Sequence, residues 1–361
     1  MNIHITCTPE FSTDTLTEVV DLLSGILGEM KFIYSKPLST NQTKRLNPRF
    51  ENINCIDSLS FDDLFNYIDD HRDIREIGAN EFLVVITSIR NNQNWFSAFK
   101  ENNVFVHGDE WDMISDVDSK FGIAHQCIEN IFQSLIKLDI NNVMEEQNIH
   151  MKSIGCINDF CGNKKEILQK LQSANICDSC FDRAINGDVS GNVIAHIVEI
   201  LEFIRKQFVI SRNFTRTLKP QNIIVDENGI ITVGDHEIKM EIMPKTLYIY
   251  FLKNLMGLPT NKLCDEVKEF ENIYSILNTK NPDLDTVSRL CCNKIKTPTK
   301  VITLKPTLET NRSKIKGALK RKLGELLCSK YAINRVKRED DTNIFKINLN
   351  QDNIHIAPAF L

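Results

Sequence analysis

The sequence predicts a multidomain α/β (α+β) protein. Three features carry that expectation: an opening strand–helix–strand, four clustered cysteines near the middle, and a C-terminal third of short strands and helices ending in strand–turn–strand. At 361 residues the chain is long for one core, so two or three domains are expected. The boundaries drawn from texture are 1–150, 151–212 and 213–361.

Residues 3–8 alternate as a strand, 16–27 form an amphipathic helix and 31–34 return as a strand. Such a β-α-β unit favours a partly parallel sheet. Residues 41–54 are polar and predict a loop, and 61–71 a helix. Residues 82–88 (FLVVITS) are a β-branched run typical of a buried strand, and 104–107 form a further short strand. Residues 123–138 place Ile128, Ile131, Phe132, Leu135 and Ile136 on one helical face. A helix over about 193–208 follows the cysteines. Beyond Arg212, strands at 223–225, 230–233 and 237–240 are separated by Asn228-Gly229 and Gly234-Asp235, which favour hairpin turns. Pro244 marks a helix start, with helices expected over 245–255, 262–277, 283–294 and 308–327. Strands at 331–335 and 344–349 close the chain.

An apolar content of 42% with 25% charged residues suits a soluble globular protein. The net charge of −5 conceals an asymmetry: from Lys305 to Arg338 there are eleven basic residues against two acids, Glu309 and Glu325. That imbalance implies an anionic partner, nucleic acid before membrane. No run approaches roughly 18 apolar residues, so no membrane span is expected. The opening ten residues lack the basic start of a secretory signal. Eleven unevenly spaced cysteines do not form a secreted disulfide framework, which points to a reducing cytoplasm.

Cys156, Cys161, Cys177 and Cys180 have the spacing C-x4-C-x15-C-x2-C. Two close pairs joined by a longer excursion supply four soft ligands at low loop-closure cost, so a structural Zn2+ is expected. Four cysteines would close the coordination sphere and leave no catalytic position. Two other readings of the same residues are buried cysteines without metal and a redox pair at Cys177 and Cys180.

The helix at 123–138 contains His125-Gln126-Cys127-Ile128-Glu129. Together with the opening strands, the strand at 82–88 and the cysteine segment, it resembles the zincin fold, specifically the archaemetzincin-like metzincins. Their helix reads H-E-x-x-H-x-x-G-x-x-H and is followed by a four-cysteine knuckle. His125 matches the first ligand, but Gln126 stands where the general base would be, and an amide cannot take a proton from metal-bound water. Glu129, Phe132 and Leu135 replace the second ligand, the glycine and the third ligand. The resemblance therefore implies a peptidase-like site that has been lost, with no catalytic residue. The plainer alternative is an ordinary helix histidine beside Glu129 at i+4. His107, Asp109 and Asp112, with Asp116 and Asp118 nearby, form another candidate polar cluster, for which an acidic surface loop is the plainer reading.

From about 222 to 349 the order of strands, three helices and a closing hairpin resembles the winged-helix output domain of OmpR/PhoB-class regulators. The resemblance makes 312–323 the recognition helix and 331–349 the wing. Ile315, Leu319, Leu323 and Leu326 fall on one apolar stripe, while Ser313, Lys314, Gly317 and Arg321 lie opposite, with Lys316 and Lys320 on the flank. Arg312, Ser313, Lys316, Lys320 and Arg321 are thus candidates for double-stranded DNA, and Arg335, Lys337 and Arg338 for an adjacent phosphate. Glu339, Asp340 and Asp341 beside the wing oppose that contact.

Together these readings give a non-catalytic cytoplasmic DNA-binding or regulatory protein with a structural zinc and no membrane association. The alternatives are an adaptor that binds protein through the same winged helix, and a divergent zinc hydrolase using His107, His125 and Glu129.

Overall fold

In the computed structural model, the described residues are 1–46, 56, 58–115, 117–139, 149–217, 219–259, 262, 265–279, 305–337 and 343–361. The chain is mixed α/β with several sheets, and it divides into two compact units, Met1–Ser211 and Arg212–Leu361. The cysteine segment, expected as a region of its own, contributes Cys156, Ile157, Ile167, Leu171, Cys180 and Ala184 to the core of the first unit.

The first unit begins with β1 (Asn2–Cys7), α1 (Thr13–Ser24) and β2 (Lys31–Tyr34). Ser12 caps α1 by accepting from the Thr15 N–H. Then come α2 (Thr40–Leu46), β3 (Ser58–Leu59), α3 (Phe61–Ile74), β4 (Phe82–Thr87), β5 (Arg90–Asn91), β6 (Ser97–Lys100) and β7 (Asn103–His107). Helix α2 replaces part of the loop expected over 41–54. Its start is fixed by Ser39, whose carbonyl accepts from the Thr43 N–H and hydroxyl. A Ser60–Asp63 capping box starts α3.

The main sheet has the order β2-β1-β4-β7-β6, parallel except for the edge strand β6. β4 is buried at every position, as its unbroken apolar run requires of a strand covered on both faces. Val84 and Ile86 join one core with α1, while Leu83 and Val85 join another with α3. The first core also receives α4 (Ser119–Leu135), α5 (Ile167–Ser173), α6 (Asp178–Asn186) and the N-terminal part of α7 (Gly191–Thr217).

The second unit contains β8 (Ile223–Val225), β9 (Ile231–Val233), β10 (His236–Ile238), α8 (Ile242–Lys253), β11 (Leu258–Pro259), α9 (Val267–Leu277), α10 (Lys305–Leu323), α11 (Glu325–Tyr331), β12 (Ile333–Lys337), β13 (Asn343–Ile347) and β14 (Ile354–Ile356). One sheet runs β10-β9-β8-β14, with β14 parallel to β8. The other runs β11-β13-β12, so the short strand between α8 and α9 pairs with the C-terminal hairpin. The helix expected over 308–327 is broken at Gly324, whose φ of 78° and ψ of 170° lie where only glycine sits without strain. The helix expected over 283–294 lies outside the described residues, as do Asp116, Arg338 and the acids at 339–341.

Candidate metal centre

Among the described residues one group of His, Cys, Asp and Glu side chains could share an ion: His150, Cys156, Cys177 and Cys180, with ligand atoms all within 4.8 Å of one another. Three of the four expected cysteines are brought together, but Cys161 lies outside this group and His150 stands in it. His150 Nε2 is 3.2 Å from Cys177 Sγ and 3.3 Å from Cys180 Sγ. A tetrahedral zinc with bonds of about 2.0–2.3 Å holds its ligand atoms roughly 3.5 Å apart, so the cluster is close to that size.

Local hydrogen bonding explains the exchange. The buried carboxylate of Asp159 accepts through one oxygen from the N–H groups of Ile154 (2.9 Å), Gly155 (2.7 Å) and Cys156 (3.1 Å), and from the Ser153 hydroxyl (3.0 Å). This folds 153–159 into a tight loop, in which Gly155 takes a φ of 85°. His150 then pairs with the far side of the loop: its N–H donates to Asn158 O and its carbonyl accepts from the Phe160 N–H. The imidazole, rather than the thiol of Cys161, reaches the sulfurs. The sequence held a signal for this, a histidine six positions before the first ligand, but it lay outside the cysteine pattern.

Cys177 is the N-cap of α6 and Cys180 lies in its first turn, where helix N–H groups favour thiolates. Each sulfur in the set has its own donor or hydroxyl neighbour. Asn158 Nδ2 donates to Cys180 Sγ at 3.2 Å, the Cys177 N–H to Cys156 Sγ at 3.4 Å, and Ser179 Oγ lies 3.2 Å from Cys177 Sγ. A hydrogen bond from Cys156 raises its own pKa and, against burial, lowers that of Cys180. Three thiolates and an imidazole with outer donors suit a closed zinc site that holds the fold. Cys161 lies apart, its thiol pushed up to about 12, mainly by burial.

Of the residues compared with the metzincin helix, His125, Gln126, Glu129 and Phe132 are buried along α4, and Leu135 is half-buried. Gln126 Nε2 donates to Glu129 Oε2 at 2.7 Å, and the Ser97 hydroxyl donates to Gln126 Oε1 at 2.6 Å. The ammonium of Lys170, on α5, donates to Glu129 Oε1 at 2.8 Å. Burial raises the Glu129 carboxyl, and Lys170 opposes the shift; burial lowers Lys170, and Glu129, with Cys161 and Asp159, more than offsets it. His125 Nδ1 sits 3.5 Å from Glu129, and burial, with Lys170 nearby, lowers its pKa to about 3, so the ring is neutral. His107, His125 and Glu129 are not among the side chains that converge on one ion.

In the second unit the expected DNA-binding residues separate into two sets. Arg321 is exposed, as are Lys314 and Lys322; Ser313, Lys316 and Lys320 are half-buried. Lys314 pairs with Glu241 at 2.7 Å and Lys320 with Glu325 at 3.6 Å. Arg335, by contrast, is only 3% exposed. It stacks over Phe345 at 5.2 Å, while Arg312 stacks over the same ring at 4.6 Å and donates from Nε to Ile333 O. These two arginines brace the hairpin, which corrects the expectation that Arg335 clamps a phosphate. Lys337 ends β12.

No family model matches the chain, and no solved structure matches it. A probable serine/threonine-protein kinase of Dictyostelium discoideum is 33% identical over 79 residues. That stretch is 22% of this chain, and the match spans only 16% of the kinase's length. So short an overlap carries no activity across.

Proposed function

We propose that the chain is a non-catalytic regulatory protein, in which a zinc-braced α/β unit is joined to a DNA-binding unit of winged-helix type. The observation that carries this reading is α10. Ile315, Leu319 and Leu323 are buried along one side, Lys314 and Arg321 face solvent on the other, and Lys322 is exposed near the helix end. Such a helix is fixed by its apolar side and free to meet an anionic groove. The element order around it, a small sheet, helices α8, α9 and α10, then a hairpin joined by β11, supports the resemblance to OmpR/PhoB-type domains. Zinc is the metal best suited to a donor set of three thiolates and one imidazole.

The polar residues of α4 support a non-catalytic role. Gln126 has its amide engaged on both sides, and Glu129 is held by a lysine ammonium, so neither is poised to serve a second metal. No helix among the described residues is long and apolar enough to cross a membrane. A reducing cytoplasm suits thiolate ligands.

A second reading, a protein-binding adaptor, is favoured by the fate of Arg312 and Arg335, which serve the domain core rather than its surface. Titration of a labelled duplex at several salt concentrations separates the two. Each neutralised phosphate adds about 0.9 to the slope of log affinity against log salt. For DNA binding, Arg321→Ala with Lys322→Ala flattens that slope by roughly one to two and weakens binding without lowering stability. Equal, weak binding by wild type and variant at low salt would favour the adaptor.

A further inference from the structure

We infer that metal occupancy at His150, Cys156, Cys177 and Cys180 is coupled to the polar core of α4 through the ion pair between Lys170 and Glu129, which acts as a metal-dependent latch. This does not rest on the DNA-binding reading. Lys170 belongs to α5, on the excursion between ligands Cys156 and Cys177. The Cys177 end of that excursion is tied twice to the metal loop. The Ser173 hydroxyl donates to Gly155 O, and the Ile157 N–H donates to Asn175 O at 2.8 Å. Cys177 follows Asn175 by two residues. With the ligands held, α5 is fixed so that the Lys170 side chain, 3% exposed, reaches Glu129 at 2.8 Å.

Each charge needs the other, because an ammonium or carboxylate removed from water is tolerated only when paired. Gln126 and Gln133 also donate to Glu129, but neither brings a charge. Without a cation, nothing holds the three sulfurs and the imidazole on one point, and the loop loosens. Lys170 then withdraws, leaving Glu129 buried inside the network that joins Gln126 and Asn130 to Ser97 on β6. Loss of metal is thereby felt at α4 and the β6 edge before the opposite side of the sheet. By linkage, breaking the latch must weaken metal binding by the same factor that metal strengthens the latch.

The test uses the full chain as wild type, Glu129→Gln, Lys170→Met and the double variant. Zinc affinity is read by competition with a chromophoric chelator, and amide exchange is read over α4 and, as a control, over α3 on the other sheet face. Each single variant should lose about tenfold in zinc affinity, within the usual range for coupling between separate sites. The double variant should lose less than the two singles combined, since no lone charge remains. Chelation of the wild type should speed exchange in α4 and spare α3. If a single variant fails to fold, wild type and the double variant still decide: chelation should speed α4 exchange less in the double variant. Zinc affinities within twofold across the series, an α4 unmoved by chelation, or equal acceleration of α3 and α4 would each overturn the latch.

Discussion

At the scale of single residues, burial decides what a side chain is for. Arg335 and Arg321 look alike in the sequence, two cations in a basic stretch, yet one is inside the domain and the other outside. Stacking of Arg312 and Arg335 on Phe345 depends on the register that brings β12 against β13, which composition does not encode. Buried histidines give a prediction of their own. His71 is fully buried, with Ser35 Oγ 3.2 Å from its Nε2. Burial lowers its pKa to about 4, with Arg75 and His4 adding to the shift. The unfolded chain, with an ordinary value near ~6.5, takes up the proton first as pH falls. Stability is therefore full above about pH 6.5 and declines toward about pH 4, by roughly 3 kcal/mol for this residue. Denaturant unfolding across that window should show a shallower decline in His71→Gln than in wild type. Parallel curves would mean that His71 contributes nothing to acid sensitivity.

Among the elements, those with a strong local pattern were legible: β4 from its apolar run, α4 and α10 from their periodicity, and the β8–β9 turn from Asn228-Gly229. Pairings made at a distance were not. β6 and β11 are short, and they become strands only because β7 and β13 offer them edges. Three of the four residues of the candidate metal group could be read from spacing, whereas His150 is placed by the turn around Asp159. Gly324 shows how a single backbone angle divides what periodicity makes continuous. A Cβ there would meet nothing within 4 Å, so Gly324→Ala tests the backbone alone. Its φ and ψ predict a cost of about 1–3 kcal/mol despite the open space, measurable as a lower denaturant midpoint with an unchanged slope. A neutral substitution would show that the junction of α10 and α11 can relax.

On the scale of the whole molecule, two units carry two kinds of chemistry. Met1–Ser211 encloses the polar centre of α4 and the cysteine–histidine cluster, while Arg212–Leu361 presents the cationic side of α10. A metal bound in the first unit would set its fold, since a structural zinc contributes its binding free energy to folding. Its donor set is also where sequence spacing and three-dimensional placement differ most sharply, at Cys161 and His150. The direct measurement is the metal content of protein purified without chelator, for wild type, His150→Ala and Cys161→Ser, with thermal unfolding of each. The expected result is about one zinc per chain in wild type and in Cys161→Ser, with metal and stability both reduced in His150→Ala. Metal lost from Cys161→Ser but retained by His150→Ala, or no metal in wild type, would contradict the account.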